Sequence, residues 1–266
     1  MIVFAIDTAT PATVIGLRCA DGRVLEARDD PRPGERPGHS TRLLPLAAAL
    51  LMESGLTWRD VDRIAVGVGP GTFTGLRVGV ATARGLAQSS GAELVGVSSL
   101  RALALGVDGG GDDDDDGKGE GEAEGERGSR GSVPIVAAID ARRGEVFAAG
   151  YQGEVELLRP RPLAPAAVPE LLAERGDVFT AERCIAVGDG AVLYRAAFEA
   201  AGAHVPEDGL ALHRVQAAAL CKLGATAALS DAPVLPDYLR RPDAAIPHSA
   251  PPDSESQAGA LEQAAS

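Results

Sequence analysis

The stretch that most constrains the fold of this chain is residues 67–87, GVGPGTFTGLRVGVATARGLA. Its first part is rich in glycine and proline and follows an apolar run, which predicts a loop leaving a strand. Its second part predicts a helix, whose first turn Thr72 or Thr74 can cap through a hydroxyl. A strand, a tight loop and a long helix in succession are typical of α/β proteins.

Small residues recur at every fourth position of this predicted helix, namely Gly75, Gly79, Ala83 and Ala87. Side chains four apart lie on one helix face, so this strip has almost no bulk. Each glycine costs roughly 1 kcal/mol relative to alanine, which close packing has to offset. The strip either packs on the chain's own sheet or forms a seam with a helix of another chain, and we predict the seam.

A third interpretation is that the loop before the helix binds phosphate, as glycine-rich loops at helix N-termini do. A P-loop requires Gly-Lys-Ser/Thr at the start of the helix. Thr74-Gly75-Leu76 stands there instead, with no lysine nearby. The P-loop is therefore disfavoured.

A second helix is predicted from Ser40 or Thr41 to about Ser54, with Gly55 as its stop. Its leucines, alanines and Met52 leave it apolar nearly all the way round. A helix without a polar face is buried on more than one side. It is thus either a central core helix or one that packs on its own lobe and on a second protein.

Strand and helix patterns appear twice in the same order, as three antiparallel strands followed by alternating helices and strands. In the second half we predict a strand from 153 to 158 and helices over 191–201 and 214–229. This order predicts a duplicated two-lobe α/β fold with mixed sheets flanked by helices. The predicted divisions are an N-terminal lobe with partner-binding helices (1–107), a disordered acidic glycine-rich insertion (108–132), a second lobe (133–212), a C-terminal helix and extended segment (213–242) and a disordered tail (243–266).

The net charge of −13 resides mostly outside the expected lobes. Residues 108–132 carry −7 and the tail from Asp243 carries −4, which leaves −2 for the rest. A nearly neutral body without a basic patch argues against independent nucleic-acid binding. The run Asp112 to Asp116 lies in a segment too polar to order itself, so we expect no specific metal site there.

The sequence also indicates a compartment. Cys19, Cys184 and Cys221 are far apart and form no C-x-x-C pair, which is typical of a reducing environment. The first ten residues lack the charged region of a signal peptide. The longest nearly apolar run, 43–52, is about half a membrane span. We therefore expect a soluble cytoplasmic protein that does not associate with membranes.

Several motifs together resemble the TsaB (YeaZ) family. They are AIDTAT at 5–10, HSTRLLPL at 39–46, GVGPGTFTGLRVGVATARGLA at 67–87, AIDARRGEVFAAGY at 138–151, VGDGA at 187–191 and PDYLRRP at 236–242. The resemblance spans roughly 1–105 and 133–242, and GPGTFTGLR is its most specific part. It implies an actin-like, sugar-kinase-like two-lobe fold.

The resemblance also implies a function. Family members are non-catalytic dimerisation or scaffold subunits, which bind and activate the catalytic paralogue TsaD for threonylcarbamoylation of adenosine in tRNA. The implied further partners are the ATPase TsaE in the ternary complex, a second copy when the protein is alone, and tRNA only through the complex.

In the family the two helices after the HS and GPG motifs form a four-helix bundle with their counterparts, which implies helices 41–54 and 74–89 here. The implied interface residues are His39, Leu43, Leu44, Leu51, Thr72, Phe73, Gly75, Arg77, Gly79 and Ala83. We expect Gly79→Leu or Ala83→Leu to abolish association and to leave the monomer folded.

Asp7, Thr8 and Thr10 resemble the first phosphate loop of actin-like ATPases. At the place of the second loop, Asp140 is followed by Ala141, Arg142 and Arg143 in place of the usual acid-glycine-threonine turn. The family pattern thus implies a degenerate nucleotide site, no cofactor and no catalytic residue. The alternative is an ATP-binding kinase or hydrolase that uses Asp7, Thr8 and Asp140.

A metallopeptidase is a weaker alternative. The catalytic paralogue holds its metal through two histidines four apart, whereas no two of His39, His204, His213 and His248 are closer than nine residues. The chain also lacks a G-x-S-x-G elbow. We therefore expect no metal site.

Overall fold

The computed structural model describes residues 1–32, 34–108, 132–179 and 184–240. Within these ranges the chain forms two mixed sheets with helices on their faces. The expected tail lies outside the described residues, as does the expected acidic insertion apart from its two end residues.

The first lobe contains a five-stranded sheet. Its elements are β1 (Val3–Asp7), β2 (Thr13–Arg18), β3 (Val24–Asp29), α1 (His39–Ser54), β4 (Arg63–Gly69), α2 (Phe73–Ser90), β5 (Glu93–Ser98) and α3 (Ser99–Asp108). The strand order is β3-β2-β1-β4-β5. The first three strands are antiparallel neighbours, whereas β4 and β5 run parallel to β1. Helices connect the parallel strands, because such strands need a crossover connection.

The second lobe repeats this arrangement with four strands. Its elements are β6 (Ile135–Arg142), β7 (Glu145–Gln152), β8 (Val155–Leu163), α4 (Val168–Ala173), β9 (Ile185–Val187), α5 (Asp189–Leu193) and α6 (Arg195–Ala200). A final helix, α7 (Ala217–Thr226), returns to pack on the sheet of the first lobe. The strand order is β8-β7-β6-β9, again three antiparallel strands followed by a parallel one. The predicted duplicated two-lobe fold with mixed sheets is confirmed.

The core is divided into layers by the two sheets. The central strand β1 is buried on both faces, with Phe4 and Ile6 pointing toward α1 and α2, and Val3 and Ala5 toward α7. The first core layer lies between the first sheet and the pair α1 and α2. The second layer lies between the two sheets and contains α3 and α7. The third lies beyond the second sheet, against α4 and α6. The pair α1 and α2 is therefore an outermost layer of the molecule.

Three predicted elements differ from the structure. β8 continues to Leu163 through two prolines, which a strand tolerates at a sheet edge because its outer amides need no partner. The helix predicted over 191–201 is two short helices that meet at Tyr194, whose φ of −114° is not helical. The last helix spans only Ala217–Thr226, because Gln216 and Ala227 have extended ψ angles. An alanine-rich run carries no stop signal, so tertiary packing decides its ends.

Candidate functional site

The small-residue strip of α2 packs against the loop that follows β1. A Cβ atom on Gly75 would lie 2.0 Å from the Thr8 carbonyl oxygen, and one on Gly79 would lie 2.3 Å from Thr8 Oγ1. Ala83, one turn further, is fully buried in the core between α2 and the first sheet. The prediction that another chain's helix covers this strip is therefore wrong, and the alternative of packing on its own lobe is correct. Leucine at position 79 or 83 would disrupt the lobe itself.

The loop after β1 uses its polar atoms to hold these helices. The Thr8 hydroxyl donates to the Gly75 carbonyl at 2.8 Å. The Asp7 carboxylate accepts from the Ser99 hydroxyl at 2.6 Å and from the Ala9 amide at 2.8 Å. Burial raises the pKa of Asp7, because desolvation disfavours the charged form. Asp7 and Thr8 thus join the loop to α2 and α3.

The two outer helices begin close to this loop. His39, the first residue of α1, is only 5% exposed, and its Nδ1 lies 2.9 Å from Thr13 Oγ1. Burial lowers the pKa of His39, because it disfavours the imidazolium ion. Thr72 precedes α2, but its hydroxyl makes no capping hydrogen bond to the described residues, and Thr74 lies inside the helix. The predicted caps of α2 are therefore wrong.

The predicted interface residues separate into two groups. Those buried inside the first lobe are His39, Leu43, Leu51, Gly75, Gly79 and Ala83. These residues are covered within the chain's own first lobe. Leu44 and Arg77 are exposed, and Thr72 and Phe73 are half-buried. Only these four lie where a second molecule can contact them.

The faces of α1 and α2 that point away from the sheet form one exposed surface, here named the helix-pair surface. The α1 side is apolar, since Leu44 is 52% exposed and Met52 is 81% exposed. Pro45, Ala48 and Ala49 are exposed between them. Of the two alternatives for this helix, the central core helix is therefore wrong, and α1 packs on its own lobe with a second apolar face exposed. Exposed apolar side chains that adjoin one another are typical of interaction sites.

The α2 side of the helix-pair surface is built from small residues and two arginines. Ala81 and Gly85 are exposed, and so are Arg77 and Arg84. A Cβ atom on Gly85 would meet no described atom within 4 Å beyond the adjacent backbone of its own helix. Packing within the described part of the chain therefore gives no reason for a glycine at this position.

An aromatic and cationic stack lies at the start of α2. The Arg77 guanidinium lies 3.6 Å from the centroid of the Phe73 ring, and that ring lies 5.0 Å from the Tyr238 ring. Arg77 Nε also donates to the Tyr238 hydroxyl at 3.1 Å. Tyr238 belongs to the PDYLRRP motif, which is 161 residues from Arg77. The motif is recognisable in the sequence, but its contact with the exposed side of α2 was not predicted.

A cavity of about 310 Å³ lies between the lobes. Thr10 and Ile139 line it from opposite lobes, together with Asp189. The Asp140 amide donates to Asp189 Oδ1 at 3.0 Å, and the Asp140 carboxylate pairs with Arg142 at 3.2 Å. Burial raises the pKa of Asp189. Of the candidate nucleotide residues, only Thr10 lines the cavity.

Within the described ranges, no three histidine, cysteine, aspartate or glutamate side chains come together as a metal site requires. His213 is buried, and burial lowers its pKa. It accepts from the Gly188 amide through Nδ1 at 3.2 Å, and its Nε2 lies 3.2 Å from the Pro206 carbonyl oxygen. Each of its ring nitrogens thus has a backbone partner.

None of the described helices is long and apolar enough to cross a membrane.

Comparisons with known proteins agree with this geometry. The family model for TsaD, tRNA N6-adenosine threonylcarbamoyltransferase, matches residues 35–115. The chain is 34% identical over 191 residues to the Escherichia coli tRNA threonylcarbamoyladenosine biosynthesis protein TsaB. The aligned region covers 71% of this chain and 72% of that protein. An uncharacterised Mycobacterium tuberculosis protein is 32% identical over 91% of this chain and 93% of its own length.

The fold is also found among solved structures. YeaZ from Pseudomonas aeruginosa superposes with a TM-score of 0.60 at 28% identity, covering 84% of this chain and 90% of that one. A second solved structure, described as an uncharacterized protein with similarity to peptidase YeaZ from Pseudomonas aeruginosa, gives a TM-score of 0.64 at 28% identity, covering 90% of this chain and 99% of that one. The identity to E. coli TsaB, over most of the length of both proteins, shows that the chain belongs to the TsaB family.

Proposed function

We propose that this chain is a non-catalytic subunit in tRNA threonylcarbamoyladenosine biosynthesis, and that it binds a TsaD-type paralogue through the helix-pair surface. One observation carries the proposal. Exposed leucine, methionine and alanine on α1 adjoin exposed alanine and glycine on α2. Small residues let two helices approach closely, and apolar neighbours make the contact favourable.

The match to the TsaD family model supports a paralogue as the partner. The matched residues 35–115 contain both α1 and α2, so a TsaD-type protein carries a related helix pair. Two related surfaces can pack face to face about an approximate twofold axis, as in an isologous dimer. A second copy of this chain presents the same surface, and we therefore propose a homodimer when the chain is alone. We further propose that TsaE and tRNA engage only the assembled complex.

The arrangement of the first phosphate-like loop favours an accessory role over the alternative of an ATP-dependent kinase or hydrolase. The Asp7 carboxylate and the Thr8 hydroxyl hydrogen-bond within the first lobe. Asp140 is paired with Arg142. The alternative predicts that the purified chain binds ATP with magnesium in the cavity between the lobes. A calorimetric titration of the chain with ATP and magnesium that gives no measurable heat would exclude the kinase or hydrolase alternative.

The docking proposal is tested with Ala81→Arg. Ala81 is exposed at the middle of α2, so the fold tolerates the change, whereas a docked partner would bury an unpaired charge. Such a charge costs about 2–5 kcal/mol, or roughly thirtyfold or more in affinity. We expect Ala81→Arg to lose co-purification with the TsaD-type paralogue of the same genome and to elute at the mass of a monomer.

Ala196→Arg is the matched control, because Ala196 is an exposed helical alanine of the second lobe. We expect it to bind as the wild type does. If Ala81→Arg retains full affinity for the paralogue, the helix-pair surface is not the docking site.

A further inference from the structure

Residues 233–240 cross from the first lobe to the second, and we name this segment the strap. It begins at the edge of the first sheet, where the Val234 side chain would lie 3.2 Å from a Cβ atom on Gly96 of β5. Further along, the Asp237 amide donates to the Val68 carbonyl of β4 at 2.8 Å. The first half of the strap is therefore fixed to the two strands next to α2.

The middle of the strap contacts the docking helix. Tyr238 stacks on Phe73 and accepts a hydrogen bond from Arg77, both on the first turns of α2. Arg77 is exposed on the helix-pair surface, and Tyr238 is 40% exposed beside it. Tyrosine and arginine are the side chains that contribute most often to binding energy when a partner covers them. A molecule seated on α2 thus reaches the strap as well.

The far end of the strap holds the second lobe. Leu239 packs against the core layer between the two sheets. Arg240 Nη1 donates to the Ala141 carbonyl at 3.0 Å, and the Arg240 guanidinium also pairs with the Glu145 carboxylate. Ala141 and Glu145 flank the turn between β6 and β7, and Ile139 of β6 lines the cavity between the lobes. Because Arg240 is only two positions after Tyr238, at most about 7 Å of chain joins the two contacts.

We propose that the strap couples the helix-pair surface to the cleft between the lobes. A partner on α2 covers the stack of Phe73, Arg77 and Tyr238, immobilises the strap, and so restrains the β6–β7 hairpin. Linkage makes this coupling reciprocal, so releasing the hairpin end weakens the partner's binding. The inference rests on the proposed docking of a TsaD-type paralogue and adds a route by which docking acts on the second lobe.

The first test uses the free protein and needs no partner. Tyr238→Ala removes the contact with α2 and leaves the Arg240 side chain in place. We expect the hairpin amides of residues 142–146 to exchange with deuterium about threefold to tenfold faster than in the wild type. Arg161→Ala is the control, since the Arg161 side chain pairs with Glu174, which lies outside residues 142–146. Equal exchange in Tyr238→Ala and the control would overturn the coupling.

The second test measures affinity for the purified TsaD-type paralogue. Arg240→Ala removes a side chain whose hydrogen bond to Ala141 and ion pair with Glu145 are made to the second lobe, and we expect about fivefold weaker binding and loss of the partner-induced protection of the hairpin. Arg161→Ala is expected to bind as the wild type does. Wild-type affinity and protection in Arg240→Ala would refute the coupling and leave the docking proposal intact. If the wild-type chain itself does not bind the paralogue, both proposals are wrong.

Discussion

Two glycines of α2 provide a matched pair for testing which face of this helix is sealed within the lobe. Gly79 lies on the buried strip, and Gly85 lies on the exposed side of the same helix, six residues further on. Both have helical backbone angles, so alanine at either position meets the same intrinsic preference. Gly79→Ala and Gly85→Ala should therefore differ only through the surroundings of the added methyl group.

At Gly79 the surroundings are occupied. The added Cβ would lie 2.3 Å from Thr8 Oγ1, so Thr8 has to rotate or the backbone has to move. Rotation would lose its hydrogen bond to Gly75, worth about 1 kcal/mol, and overpacking adds about 1–3 kcal/mol. The higher helix propensity of alanine offsets about 1 kcal/mol of this destabilisation. We expect a net destabilisation of about 1–3 kcal/mol.

At Gly85 the added methyl group meets open space. Only the helix preference remains, which favours alanine by about 0.5–1 kcal/mol. For a chain of this size, such a gain raises the melting temperature by about 1–4 °C. The two substitutions are thus expected to shift stability in opposite directions.

Urea denaturation followed by circular dichroism measures both free energies of unfolding, and calorimetry gives the melting temperatures. If Gly79→Ala were as stable as the wild type, the strip would not be packed on Thr8, and the intermolecular seam would be restored as an explanation. If Gly85→Ala were destabilised, some contact within the chain would require that glycine, and Gly85 would no longer support an open docking face on α2.

Two further substitutions probe the interior of the first lobe. Arg63 Nη1 donates to three carbonyls at the end of α7 at 3.0–3.2 Å. Arg63→Ala should therefore lower the free energy of unfolding, measured by urea denaturation, by about 2–4 kcal/mol. The control Arg59→Ala, at an exposed position, should lower it by less than about 0.5 kcal/mol. Because burial raises the pKa of Asp7, the folded protein holds this proton more tightly than the unfolded chain and loses stability as pH rises above about 4. Asp7→Asn retains a partner for Ser99 and lacks that loss, so its melting temperature should rise relative to that of the wild type as the pH increases above about 4; parallel profiles would exclude Asp7 as the group.

Much of the fold was predictable because its signals are local. The apolar runs and the glycines around them correctly indicated most strands, and their repeated order indicated the duplication. The motif carrying Tyr238 was recognisable, but its position was not, since the contact with Arg77 spans 161 residues. Gly85 escaped notice because it is off the four-residue strip, and an exposed glycine looks the same in a sequence as a buried one. Ser99 was missed because its partner Asp7 is 92 residues away.

The sequence by itself determined that α2 has one face without bulk and that α1 is apolar nearly all round, because both properties follow from spacing along a single helix. Only the tertiary structure decided which neighbour each face meets. The strip faces inward because Thr8, 67 residues away from Gly75, is brought under it by the parallel pairing of β1 and β4. Spacing within a helix is a local property, whereas the direction that a face takes depends on segments that only folding brings together.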